Sequence, residues 1–136
     1  MKSRIFLLLN CLIILTISVS KAQTNFWEKI GIDASSKANA LYITGQGAIY
    51  VGSGGTTNGG AMFLSNDDGD NWSKPYDDAN NPGVSSIQVI NSITILIGTG
   101  SGISGVIKRT TNGGTDWISV YNFGISEVVT SLVSSS

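Results

Sequence analysis
Histidine is absent from the sequence, and its single cysteine, Cys11, lies within an apolar run near the N-terminus. Without histidine there is no histidine-based catalytic triad and no histidine-ligated metal site. Asn10 precedes Cys11 where a lipid-anchor site wants a small residue, and the apolar stretch continues past it. If that run is removed, no thiol, disulfide or thiolate ligand remains. Proline is scarce too, with two residues against 17 glycines, and only 12% of residues are charged. No basic patch is visible, which argues against nucleic acid or an anionic membrane as partner.

The apolar run reads as a leader. Lys2 and Arg4 give a positive start, Ile5 to Val19 is apolar apart from Asn10, Thr16 and Ser18, and Ser20-Lys21-Ala22 places small residues for cleavage before Gln23. This pattern predicts a secretory signal peptide over residues 1–22. A spanning helix needs about 20 apolar residues, more than the run supplies, so no membrane span is expected after removal. The expected destination is outside the cell, in the periplasm or on the cell surface. Removal leaves Lys29, Lys37, Lys74, Lys108 and Arg109 against nine acidic residues, a net charge of −4.

The remaining chain, 23–136, is organised by its three tryptophans. Trp27, Trp72 and Trp117 stand 45 residues apart. A fixed period in this range signals repeated supersecondary units. Ser65-Asn66-Asp67-Asp68-Gly69-Asp70-Asn71-Trp72 and Thr110-Thr111-Asn112-Gly113-Gly114-Thr115-Asp116-Trp117 share the pattern Ser/Thr-x-Asp/Asn-x-Gly-x-x-Trp. Ahead of each copy lie three short segments rich in β-formers and separated by turn residues. In the first repeat they span 38–44, 48–52 and 60–65; in the second, 85–90, 93–98 and 105–110. A fourth strand is expected over 72–76 and 117–121, and a third repeat is expected to begin at 128–133. Four short strands in 45 residues is the size of one propeller blade. The expected fold is therefore all-β, with β-propeller blades of four antiparallel strands at about 27–72 and 72–117 and a third begun at 128. Blades cover their faces with neighbours. Leu41/Ile43, Ile95/Ile97 and Leu132 are expected to lack that cover, which suggests the N-terminal part of a longer chain, or else assembly with other copies.

The paired motif resembles the Asp-box, or BNR repeat, of propellers in sialidases, xyloglucan-cleaving glycosidases, sortilin-type receptors and photosystem II assembly factors. The resemblance implies a structural turn between the third and fourth strands of a blade, at its periphery and away from the binding face. Ser65/Thr110 and Asp67/Asn112 would then hydrogen-bond the turn. Gly69/Gly114 would take a conformation that a Cβ disfavours, and Trp72/Trp117 would pack between sheets. Asn112 departs from the acidic form and brings no charge.

Competing motifs fail on context. A calcium loop centred on Gly69 puts Leu64 and Pro75 where acids are required. Gly100-Ser101-Gly102-Ile103-Ser104-Gly105 matches a dinucleotide fingerprint but precedes strand-like Val106-Ile107 rather than a helix. WD-type histidine and Trp-Asp pairs are absent. Asp77-Asp78 and Lys108-Arg109 read as solvated turn and edge-strand charges. No residue is nominated as catalytic, and no cofactor or metal is called for. The expected function is a secreted propeller binding a protein or glycan without chemistry. The alternative is a glycoside hydrolase, whose two placed carboxylates would lie mostly in further blades. Asp33 is the one early acid worth testing.

Overall fold
The computed structural model describes residues 37–54, 59–80, 83–100, 104–125 and 127–134. Segment 1–22, Trp27 and Asp33 lie outside them. The described residues are all-β, with no helix. Strands β1 (Ala38–Ile43), β2 (Ile49–Ser53), β3 (Gly60–Ser65) and β4 (Ser73–Asp78) form one antiparallel sheet in that order. Strands β5 (Val84–Val89), β6 (Ile95–Gly100), β7 (Ser104–Thr110) and β8 (Ile118–Ile125) form a second sheet of the same order. Each is a four-stranded meander of the kind that makes a propeller blade.

The register shows the repeat at the level of single bonds. Gly54 donates its backbone N–H to the Lys37 carbonyl at 3.2 Å, and Gly100 donates to Gly83 at 3.2 Å. In both sheets the pairing of the first two strands slips by one residue near its start, at Ala38/Ala40 and at Val84/Ser86.

The core lies between the sheets. Met62, Val84, Ile95 and Ile97 are almost wholly buried, joined by Tyr50, Tyr76, Ile87 and Val89. Each aliphatic side chain buried this way stabilises the stack by roughly 1.5–3 kcal/mol. Ile95 and Ile97 thus differ from their expected lack of cover, because β6 turns this face toward the other sheet. Leu41 and Ile43 do stand exposed on β1. The sheets approach closely at Gly52, where a Cβ would come within 2.8 Å of Val84 Cγ1.

Residues 127–134 form no strand. No described strand lies alongside to complete a ladder, and an extended segment needs such a neighbour to satisfy its backbone. The segment nevertheless lies against the second sheet. Val129 covers Gly98 much as Val84 covers Gly52, and Ser85 Oγ donates to the Val129 carbonyl at 2.6 Å.

Candidate functional site
The two motif turns join β3 to β4 and β7 to β8, and they share one hydrogen-bond scheme. In the first, Ser65 Oγ donates to Asp67 Oδ1 at 2.8 Å and accepts the backbone N–H of Asp67 and of Gly69. Asp67 Oδ1 also accepts the Asn71 backbone N–H at 2.9 Å. In the second, Thr110 Oγ1 donates to Asn112 Oδ1 at 2.9 Å and accepts from Asn112 and Gly114, while Asn112 Oδ1 accepts the Asp116 N–H. The chain is left-handed at two consecutive residues in each turn. Asp68 has φ +57° and Gly69 φ +98°; Gly113 has φ +70° and Gly114 φ +97°. Glycine meets that requirement without steric cost, and aspartate is among the few other residues that tolerate it.

One bond runs in opposite directions in the two turns. Asn71 Nδ2 donates to Asp67 Oδ2 at 2.7 Å, whereas Asn112 Nδ2 donates to Asp116 Oδ2 at 2.9 Å. The amide and the carboxylate have exchanged places. Asn112 brings no charge, but Asp116 supplies it four residues later. The Asn71 side-chain bond is the largest influence holding the Asp67 carboxyl below its ordinary range, followed by the Asn71 backbone and the Ser65 hydroxyl.

The tryptophans differ in what they meet. Trp72 Nε1 donates to the Gly69 carbonyl of its own turn at 2.8 Å. Trp117 Nε1 lies within reach of both Gly114, at 3.1 Å, and Pro75 on β4, at 2.9 Å. Its ring meets Tyr76 edge-on with centroids 5.3 Å apart. Trp117 therefore ties the second turn to the first sheet.

Tyr76 belongs to a polar cluster that sequence reasoning missed. Lys108 Nζ lies 3.5 Å from Asp78 Oδ2 and sits over the Tyr76 ring at 5.6 Å. The Lys108 and Asp78 side chains are only 16% and 25% exposed. Neither is a solvated charge, because β7 is an interior strand of its sheet and faces β4 across the stack. Burial, and then the Asp78 charge, push the Tyr76 hydroxyl well above its ordinary range. Asp77 remains at the surface, paired with Lys74 at 3.2 Å. Among the described residues, no three acidic side chains come together to hold a metal ion.

A cleft of about 380 Å³ opens on the same end of the stack as the first motif turn. It lies between the β1–β2 turn and the β5–β6 turn. The first of these closes through Gly47 N–H to the Thr44 carbonyl and Ala48 N–H to Thr44 Oγ1. The second closes through Asn91 Oδ1, which accepts from Ile93 and Thr94. Tyr42 and Tyr50 bring aromatic rings to the cleft; Gln46, Asn66 and Asn91 bring amides. No described lining residue carries a charge. The chemistry available is hydrogen bonding and stacking in a volume at the lower end of ligand pockets, which run roughly 300–1,000 Å³. Its parts are scattered along the chain, so no local motif announces it.

No family model matches the chain, and no curated protein or solved structure matches it either.

Proposed function
We propose that the chain is a secreted Asp-box β-propeller repeat protein that binds a glycan or protein ligand and performs no chemistry on it. Support for the propeller comes from two sheets of one strand order, stacked face to face, each carrying the same motif turn between its third and fourth strands. Further blades would cover Leu41 and Ile43, which stand on β1 where Ile87 and Val89, buried in the core, stand on β5. The observation that carries the binding reading is the cleft, with its tyrosine rings and amides and no charge among its described lining residues. It opens at the motif-turn end, beside Asn66, so this reading departs from the resemblance, which would put the binding face away from the motif. Asp67 is engaged in its turn and Asp77 and Asp78 in ion pairs, away from this lining.

The test is incubation of the full chain with xyloglucan and with sialosides, followed by product analysis. Intact glycans are the expected result. Release of reducing ends or free sialic acid would overturn the non-catalytic reading in favour of a glycoside hydrolase.

A further inference from the structure
Tyr50 is only 3% exposed and lines the cleft, and its hydroxyl has no hydrogen-bond partner among the described residues. The ring is packed away while the hydroxyl itself opens into the cleft, where a ligand or water can bond it. The Gln46 and Asn66 side chains line the same cleft and are likewise unbonded among the described residues. Asn91 spends its Oδ1 on its own turn, leaving its Nδ2 donors over. Tyr42 makes only a long 3.4 Å contact to the Val89 carbonyl. The cleft thus collects unused donors and acceptors around two aromatic rings. Burial keeps the Tyr50 hydroxyl protonated, able both to donate and to accept.

We infer that this cleft binds an uncharged saccharide ring, with the Tyr50 hydroxyl and the Gln46, Asn66 and Asn91 amides on its hydroxyl groups and the Tyr42 ring against its C–H face. The inference deepens the binding function proposed above and rests on it. A sugar hydroxyl donates and accepts at one atom, which suits amides and a phenol. Among the described lining residues an anionic ligand would meet no lysine or arginine, and a cationic one no carboxylate. An extended peptide fits less well, because it pairs with an open strand edge. This cleft is bounded by turns whose Thr44, Ala48 and Thr94 carbonyls already accept backbone bonds.

The experiment is calorimetric titration of the full chain with cellotetraose, xylotetraose, chitobiose, lactose and sialyllactose. The same titrations follow on Tyr50→Phe, Gln46→Ala and Asn66→Ala. At least one neutral sugar is expected to bind, and sialyllactose no better than lactose. Tyr50→Phe keeps the ring and removes one hydrogen bond, so affinity should fall about tenfold. Gln46 is an exposed turn residue and Asn66 is exposed too; neither makes a side-chain bond among the described residues, so their alanine variants should fold normally and weaken binding if Tyr50→Phe does not fold. Sugar binding unchanged in all the folded variants would overturn this site and leave a glycan-binding protein with its site elsewhere. Failure of every sugar to bind, or clear preference for sialyllactose, would overturn the inference directly. Glycan cleavage in the product assay would defeat the non-catalytic reading without touching this site.

Discussion

Trp117 donates its indole N–H to the Pro75 carbonyl at 2.9 Å, so a turn of the second repeat is fastened to the fourth strand of the first. Gly114 shares the junction, because a Cβ there would meet the Pro75 Cβ at 2.6 Å. Among the described residues Trp72 makes no such bridge; its N–H ends on its own turn. Trp117→Phe should keep the edge contact with Tyr76 and lose the N–H, leaving the Pro75 carbonyl without its donor. The expected loss is about 1–2 kcal/mol of unfolding free energy. Trp72→Phe should cost less. Urea unfolding followed by circular dichroism compares the two, and equal losses would show that the inter-sheet bond contributes nothing.

Asp67 should make the stability of the fold depend on acid. Its carboxyl is held below the ordinary range by Asn71 and Ser65, so the unfolded chain binds its proton first as pH falls. The contribution is complete above the unfolded value of about 3.9. It is then lost as pH descends from there through the lowered folded value. Asp67→Asn should flatten the urea midpoint between about pH 5 and pH 3 relative to wild type. An unchanged slope would mean that the turn does not sense the charge.

The opposed side-chain bonds in the two turns predict a rescue. Asn71→Asp alone sets two carboxylates against each other where Asn71 Nδ2 now donates to Asp67 Oδ2. It should destabilise at neutral pH and do so less as salt is added. Combining it with Asp67→Asn recreates the order of Asn112 and Asp116 and should restore the midpoint. A double variant no better than Asn71→Asp would show that the turns are not interchangeable.

The motif turns made much of this fold legible. The strand expected over 60–65 is the strand observed, because Ser65 both ends it and begins the turn. The fourth strands are less well placed: β8 continues to Ile125, beyond the expected end at Tyr121. Asn122 and Gly124 read as turn residues after Tyr121, yet both lie within the strand, where Phe123 still packs edge-on against Tyr121. Asn112 could be read as a departure from the acidic pattern, but its compensation by Asp116 needed the turn's curvature to become visible. Lys108 could not be told from a surface charge until β7 was set across from β4, next to Asp78. The cleft escaped for the same reason, since Tyr50, Asn66 and Asn91 meet only when the two sheets stack.

Ser86 offers a stabilising change. Its hydroxyl is buried and has no hydrogen-bond partner among the described residues. It faces Gly98, where a Cβ would come within 2.3 Å of Ser86 Oγ. In the first sheet the equivalent neighbour of Gly52 is Ala40, which carries no polar atom to satisfy. Burying a hydroxyl without a bond costs free energy that alanine avoids, and the lost volume is a single oxygen. Ser86→Ala should therefore raise the unfolding free energy by about 1 kcal/mol. A thermal midpoint shifted upward would agree. A downward shift would mean that the oxygen's packing against Gly98 and Val129 outweighs its missing bond.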